Sequence, residues 1–162
     1  MGIDLQLVGY LMKRTLALSD IADHVGQEVA LSDWIEVTQQ QVNQFAQATG
    51  DHQWIHVDVE RARAGPFGGT IAHGFFTLSL LPQFIQSSLA FEPTRMGVNY
   101  GLNKVRFIAP VRVGSRLRAR MKLLSCESIA DQGVQMAWEV TVECEGLSKP
   151  ACVAESLVRI YP

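Results

Sequence analysis

Cysteine is scarce in this chain, and its placement excludes several classes of protein. The 162 residues contain only Cys126, Cys144 and Cys152, an odd number, and no two of them form a Cys-x-x-Cys pair. Such a set suits neither a disulfide framework nor a zinc site built on cysteine pairs. We therefore expect reduced thiols that serve as small core side chains, in a cytoplasmic protein.

An excess of charge and a long apolar run are also lacking. The net charge is −2, so the sequence predicts no nucleic-acid partner and no attraction to an anionic membrane. No apolar run approaches the length of a membrane span. Near the N-terminus, Asp4 comes early, and Lys13 and Arg14 follow the apolar run, which is not the order of a secretory signal. We expect no targeting segment and no membrane partner.

Two common loop motifs are missing. Residues 65–69 are rich in glycine, but neither GxxxxGK[ST] nor GxGxxG occurs in the chain. No serine lies in a GxSxG turn. The glycine-rich stretch is therefore a weak signal for phosphate binding, and the sequence predicts no serine nucleophile of that type.

The chain is long enough for one domain with a proper core, and we interpret residues 1–162 as that domain. Apolar residues recur through 3–18, so 1–28 is interpreted as an N-terminal helical extension that packs on its own domain or covers a partner surface. Residues 29–37 predict one strand or two short ones. Thr38 and Gln41 then form a capping box, and Gly50 ends the helix that follows.

The segment 71–89 has few polar residues and contains no Asp or Glu. Because a helix that is apolar nearly all round is a buried one, we predict a long central helix here, with Thr70 as its N-cap. Pro82 lies in the middle of this segment and predicts a kink or a break.

From Asn99 onward the apolar period changes to two, which is typical of half-buried antiparallel strands. Every second residue from 116 to 122 is basic, and three of the four positions with the same period from 139 to 145 are glutamate, the fourth being Thr141. The basic row could hold a phosphorylated ligand, but the acidic row favours pairing across strands on a solvated face. The whole pattern predicts an α+β domain, in which an antiparallel sheet packs on one buried helix.

Residues able to exchange protons crowd the stretch 48–76, between the two predicted helices. Asp51 and His56 could hold one water and transfer protons to a substrate, or they could form a hydrogen bond that only ties the loop. His52 and His56 also have the i, i+4 spacing of a metal pair. However, no acidic residue separates them and a loop is predicted there, so we expect no metal.

Gly74 lies in the first turn of the predicted central helix, where free N–H groups point out of the helix end. A glycine there lets a substrate oxygen approach the backbone, and its N–H can stabilise an enolate oxygen. His73, its neighbour, is interpreted as a structural hydrogen-bonding residue rather than a catalyst.

The motif TGD-x-x-x-x-H-x-D, at residues 49–58, is followed by IAHG at 71–74 and by the apolar helix. This combination resembles the MaoC-like, R-specific enoyl-CoA hydratases, in their nodulation-protein-N-like branch. The resemblance runs from Trp34 to the C-terminus. It implies the hot-dog fold, a curved antiparallel β-sheet wrapped around a long buried central α-helix, which agrees with the architecture predicted from the pattern.

By resemblance, Asp51 and His56 are the catalytic pair and the backbone N–H of Gly74 is the oxyanion donor. The implied reaction is the reversible addition of water to a trans-2-enoyl-CoA, which gives an R-3-hydroxyacyl-CoA. The substrate is an acyl-CoA or an acyl-carrier-protein thioester. No metal and no cofactor are implied, apart from the CoA of the substrate itself. Members of the family are usually homodimers.

Two departures from the family pattern bear on the site. Gln53 and Trp54 replace the Asn-Pro of the commoner motif, which puts the shape of the acyl pocket in question. Pro82 stands where some hydratases have a serine that supports the aspartate. Ser79, one turn earlier, is the candidate to take over that support.

Two other functions suit a hot-dog fold. An acyl-CoA thioesterase of this fold usually needs a carboxylate on the central helix to activate water, and 71–89 has none. A non-catalytic acyl-thioester binding module has no need of an acid–base pair, so the presence of Asp51 and His56 argues against it.

Overall fold

A computed structural model describes residues 13–162. Strand β1 (Arg14–Ala17) and a 3-10 helix (Leu18–His24) come first, and both contribute buried side chains to the core of the domain. The predicted helix over 3–18 is wrong for residues 14–17, because these pair in parallel with β4 (Leu89–Glu92). The remainder of that prediction, over residues 3–12, lies outside the described residues.

One six-stranded antiparallel sheet forms the larger part of the fold. Five strands follow one another across it in the order β2 (Glu28–Leu31), β6 (Arg116–Ser128), β7 (Val134–Cys144), β8 (Cys152–Tyr161) and β5 (Met96–Phe107). The short β3 (Ile35–Glu36) also pairs with β6. Residues 29–37 therefore contribute two short strands, one of the two predicted alternatives.

The predicted period of two in β6 and β7 is confirmed. One face of these strands is fully buried and carries Leu117, Ala119, Met121, Leu123, Met136, Trp138, Val140 and Val142. On the other face, Arg118 Nε and Arg120 Nε each donate to a different carboxylate oxygen of Glu143, both at 2.6 Å, and Arg116 pairs with Glu145. The three arginines of the basic row thus pair with Glu143 and Glu145 across the strands, as the sequence favoured.

The helices of the described residues are short. They are α1 (Gln39–Thr49), α2 (Trp54–Val57), α3 (Val59–Arg63), α4 (Gly74–Ser79) and α5 (Leu81–Ser88). The predicted capping box at the start of α1 is confirmed, since Thr38 and Gln41 bond each other's backbone N–H groups. Gly50 ends α1 in the left-handed region, at φ 80°, where glycine carries no steric cost.

The central helix is two helices rather than one. It breaks at Leu80, and Pro82 falls in the first turn of α5, where the missing N–H removes no helical hydrogen bond. The break predicted from Pro82 is confirmed, but the predicted N-cap is wrong. The Thr70 hydroxyl donates to Gln39 instead, and Ile71 forms a β-bridge, so the helix begins only at Gly74.

Buried side chains of α4 and α5 pack on the apolar face of the sheet and complete one hydrophobic core. The hot-dog architecture expected from the resemblance is confirmed. Phe75 lies in the segment predicted to be buried but is 68% exposed, although its ring packs edge-on against that of Phe107 in β5 at 5.6 Å between centroids. In the described residues, no helix has the length and apolar character needed to cross a membrane.

Candidate active site

Asp51 follows directly on the C-terminal glycine of α1. Its backbone carbonyl accepts a hydrogen bond from His73 Nε2 at 2.9 Å, which anchors the loop to the start of α4. Its carboxylate accepts the N–H of Gln53 at 3.3 Å, and the side chain remains 54% exposed. A carboxylate held at its backbone but open on its outer side can reach a bound molecule.

His56 lies in α2 and is buried, with 6% of its surface exposed. Its Nδ1 lies 2.7 Å from the carbonyl oxygen of Ile71. A carbonyl can only accept, so Nδ1 carries the proton, and in the neutral ring Nε2 has the free lone pair. The Ile71 N–H in turn donates to the Ile55 carbonyl at 3.0 Å, which locks the two segments together. The ring is thus held in one orientation with its basic nitrogen available.

A glutamine at the start of α1 supports the same segments. Gln39 Nε2 donates to the backbone carbonyl of His56 at 2.8 Å, and its Oε1 accepts from the Thr70 hydroxyl at 2.6 Å. One side chain therefore joins α1 to the helix that carries His56 and to the strand-like segment that carries Ile71. Nothing in the local sequence pattern indicates this role.

His73 completes the group. It is 3% exposed, its ring stacks on that of His56, and the centroids are 3.8 Å apart. The structure gives it the hydrogen-bonding role expected from the sequence, since it donates to the Asp51 carbonyl. One nitrogen of each histidine and one carboxylate oxygen of Asp51 all lie within 4.8 Å of one another. That spacing suits a water molecule hydrogen-bonded to two groups of the cluster at once.

The same three donors could also reach one metal ion. However, His56 Nδ1 and His73 Nε2 each donate to a backbone carbonyl, and a metal on either nitrogen would break that bond. His52, the other member of the metal pair considered from the sequence, is exposed and does not belong to the cluster. The expectation of a site without metal stays a prediction.

Burial lowers the pKa of His56 below that of an ordinary imidazole. The hydrogen bond to Ile71 and the charge of Asp51 act in the opposite direction, while the neighbouring His73 lowers the pKa further. The net result is a lowered pKa. His56 is accordingly neutral at physiological pH, with Nε2 ready to accept a proton.

Gly74 is the first residue of α4, so its N–H lies outside the intrahelical ladder. The ring of Phe107 covers its α-carbon so closely that a Cβ at this position would lie 2.7 Å from a ring carbon. Real Cβ atoms do not approach other atoms so closely, and the Phe107 ring would have to move. The close packing of the Phe107 ring on the start of α4 therefore requires a residue without a side chain at position 74.

The two departures from the family motif have different outcomes. Ser79 does not support Asp51, because its hydroxyl donates to the Phe76 carbonyl at 2.7 Å. The ring of Trp54 packs against Gly65, where a Cβ would lie 3.0 Å from it, and the Arg61 guanidinium stacks over the ring at 4.4 Å. Trp54 therefore packs against Gly65 and Arg61 and stabilises the segment between them.

An apolar groove runs between α5 and strands β5 and β8. It consists of two adjoining cavities of about 330 and 300 Å³ that share Pro82, Ile85 and Asn99. One end is lined by Leu78, which lies one helical turn after Gly74 and hence on the same side of the helix. The groove is thus an apolar extension of the region around Gly74, and Trp54 is not among the residues that line it.

Comparison with known proteins shows which proteins this chain is similar to. The family profile described as "MaoC like domain" matches residues 20–144. The 3-hydroxyacyl-thioester dehydratase Z of Mycobacterium tuberculosis is 55% identical over 148 residues, which cover 91% of this chain and 98% of that protein. Nodulation protein N of Rhizobium meliloti is 49% identical over 141 residues, covering 86% of this chain and 88% of that protein. An unliganded R-hydratase from Pseudomonas aeruginosa superimposes with a TM-score of 0.64 at 25% identity, covering 85% of this chain and 81% of that one.

Proposed function

This chain belongs to the MaoC-like domain family, and from that membership and the geometry of the site we propose that it is an R-specific enoyl-thioester hydratase, equally a 3-hydroxyacyl-thioester dehydratase. One observation carries the proposal. A buried histidine whose Nε2 lone pair is free lies within water-bridging distance of a half-exposed carboxylate. Those two groups are what the addition of water to a polarised double bond requires.

The proposed reaction begins with the thioester carbonyl at the start of α4. The N–H of Gly74 donates to the carbonyl oxygen, and this draws electron density from the double bond and makes C3 electrophilic. Asp51 and His56 hold the water that attacks C3. The pair takes one proton from this water, and one proton is delivered to C2, so the pair ends in its starting state. Dehydration is the same path in reverse.

The other parts of the site suit such a substrate. The apolar groove beside Leu78 is proposed to take the acyl chain, because it continues from the position of the thioester and is lined mainly by carbon. The substrate carrier is CoA or the pantetheine arm of an acyl carrier protein. We propose no metal and no further cofactor, since a water held by the pair supplies both the oxygen and the proton of the product.

We also propose that the protein is a homodimer that forms through β5. This strand lies at one end of the sheet, and its exposed apolar side chains include Met96, Val98, Tyr100 and Leu102. A long apolar edge strand invites pairing with another strand, and a second copy of the same edge satisfies its free backbone groups. A cytoplasmic location is proposed from the three cysteines, which are all free thiols.

The experiment that tests the proposed function uses purified protein and crotonyl-CoA. We expect a loss of the enoyl-thioester absorbance and formation of R-3-hydroxybutyryl-CoA, with no release of free thiol. Release of thiol without hydration would instead identify a thioesterase. Binding of crotonyl-CoA and of longer enoyl-CoA substrates without turnover would identify a non-catalytic binding module.

A further inference from the structure

A cleft separate from the apolar groove lies where the β7–β8 turn approaches the segment after β5. Its volume is about 440 Å³, and its walls include Phe67, Pro110, Arg112, Leu147, Ser148 and Lys149. Backbone hydrogen bonds hold the two walls together, since the Ile108 N–H donates to the Ala151 carbonyl at 2.9 Å. Backbone hydrogen bonding therefore fixes the two walls of the cleft, one on each side of that bond.

The charge of this cleft is positive, although the chain as a whole carries −2. In the part of the chain that the structure describes, Arg112 and Lys149 form no ion pair. Arg112 is held over the glycine-rich loop by a hydrogen bond to the Gly68 carbonyl at 2.8 Å. The carboxylate of Glu145 also lines the cleft, but it is neutralised by Arg116. Two cations without a counter-ion thus face the same space.

Short-range backbone contacts join the cleft to the proposed active site. Arg112 pairs with Ile71 in a β-bridge, and the Ala72 N–H donates to the Val111 carbonyl at 2.8 Å. At the other end of this segment, the Phe107 ring covers Gly74. From Phe107 to Arg112 is five residues, which span at most about 17 Å when extended. The basic cleft therefore lies within that reach of the backbone N–H that we assign to the thioester carbonyl.

The carrier of a thioester substrate can span a separation of this size. Between its sulfur and its phosphate, a pantetheine arm has about as many chain bonds as four residues of peptide, or roughly 15 Å when extended. A thioester bound at Gly74 can thus place its phosphate end at Arg112 and Lys149. A guanidinium binds phosphate through paired N–H donors, and an ammonium adds a point charge. Phe67 and Leu147 supply apolar surface beside them.

We propose that this cleft binds the phosphate end of the thioester carrier, an inference that rests on the proposed function. The shared chemistry is a phosphate ester at the end of pantetheine, which CoA supplies as part of a nucleotide and an acyl carrier protein supplies as a single phosphodiester. Arg112 and Lys149 hold the phosphate, and Gly74 holds the thioester at the other end of the arm. Arg112 and Lys149 contribute to binding of the carrier and take no part in proton transfer.

The test compares three crotonyl thioesters as substrates of the 162-residue chain: crotonyl-CoA, crotonyl-4′-phosphopantetheine and crotonyl-pantetheine, which has no phosphate. The variants are Lys149→Gln and the double variant Arg112→Gln/Lys149→Gln. The matched control is Lys122→Gln, which removes an exposed cation from β6 outside the cleft. Lys149→Gln is included because Arg112 also holds the loop at Gly68, whereas the Lys149 side chain forms no hydrogen bond or ion pair within the described residues.

We expect the double variant to lower kcat/KM for crotonyl-CoA by about tenfold or more through KM, because it removes charged hydrogen bonds to phosphate. Its kcat, and its activity on crotonyl-pantetheine, should stay within twofold of the wild type. An equal loss on crotonyl-phosphopantetheine would assign the cleft to the phosphate of the arm. A loss confined to crotonyl-CoA would assign it to the nucleotide phosphates.

An unchanged kcat/KM for crotonyl-CoA in the double variant would overturn the proposal, and so would an equal loss on crotonyl-pantetheine. A wild type that hydrates none of the three thioesters would refute the proposed function instead. In that case the affinity for free CoA, measured by calorimetry at low and high salt, decides the question of the cleft. A salt-sensitive affinity that falls tenfold in the double variant supports the cleft, and an affinity that does not change contradicts it.

Discussion

The imidazole rings of His56 and His73 stack with their centroids 3.8 Å apart and their planes 25° apart. Each ring uses one nitrogen to donate to a backbone carbonyl, His56 to Ile71 and His73 to Asp51. His73 therefore touches both members of the proposed catalytic pair, one through its ring face and the other through its N–H. We assign it as the residue that positions the pair.

That assignment predicts different behaviour for two substitutions of His73. His73→Phe keeps a flat ring against His56 but leaves the Asp51 carbonyl without its donor, so we expect about a tenfold fall in kcat with little change in KM. His73→Gln restores an N–H donor and should recover part of the loss. Steady-state kinetics on crotonyl-CoA measures both. Equal activity in the two variants would contradict a positioning role for this hydrogen bond.

The pH dependence of activity follows from the pKa of His56. Burial lowers this pKa, so the imidazole remains a neutral base to below the ordinary value of about 6.5. The acid limb of kcat/KM should therefore fall below pH 6.5. The free energy of unfolding should also fall as the pH falls. The reason is that the unfolded chain takes up the proton first, below about pH 6.5, which makes folding less favourable. An acid limb centred above pH 6.5 would contradict this account.

Gly74 is predicted to be intolerant of any side chain. A Cβ there would lie 2.7 Å from the Phe107 ring, so Gly74→Ala should destabilise the fold by about 1–3 kcal/mol and displace the N–H proposed to bind the thioester. Phe107→Leu in the same chain should relieve part of the stability cost. The control for stability is Gly101→Ala on β5, where a Cβ meets no atom within 4 Å; it is not a control for activity, because Gly101 also lines the apolar groove. Urea denaturation measures the loss of stability, and activity on crotonyl-CoA measures the displacement of the N–H. A stable and active Gly74→Ala would contradict both the steric intolerance of position 74 and the role proposed for its N–H.

The proposed dimer makes a prediction for β5. Val98 is 38% exposed on this edge strand, and Val98→Lys places a charge where a second sheet edge would pair. We expect the wild type to sediment as a dimer and this variant to shift towards monomer. Val25→Lys is the control, since Val25 is 43% exposed but lies outside the sheet. A wild-type monomer, or identical shifts in both variants, would rule out an interface through β5.

What the sequence could predict was local. The period of two in β6 and β7, the capping box at Thr38 and the glycine that ends α1 all depend on residues a few positions apart, and each is confirmed. The break of the central helix at Pro82 belongs to the same class, since proline limits its own backbone whatever surrounds it.

What the sequence could not predict depends on contacts between distant residues. Gln39 and Thr70 are 31 positions apart, and their hydrogen bond explains why Thr70 does not cap the helix. The bond from His73 to Asp51 spans 22 positions. The exposure of Phe75 depends on how α4 is oriented in the folded chain, and the apolar composition of the segment does not contain that information. Only the motif around Asp51, His56 and Gly74 pointed to the site as a whole.

The most direct measurement of the central claim is the hydration of crotonyl-CoA by Asp51→Asn and His56→Gln, with His52→Gln as control. Both pair variants keep the size of the side chain and remove a proton-transfer group, so each should lower kcat by about two to four orders of magnitude. His52 is exposed beside Asp51 and outside the cluster, so its variant should keep wild-type activity. If either pair variant, folded and stable, hydrates crotonyl-CoA at the wild-type rate, then Asp51 and His56 do not act together on the water.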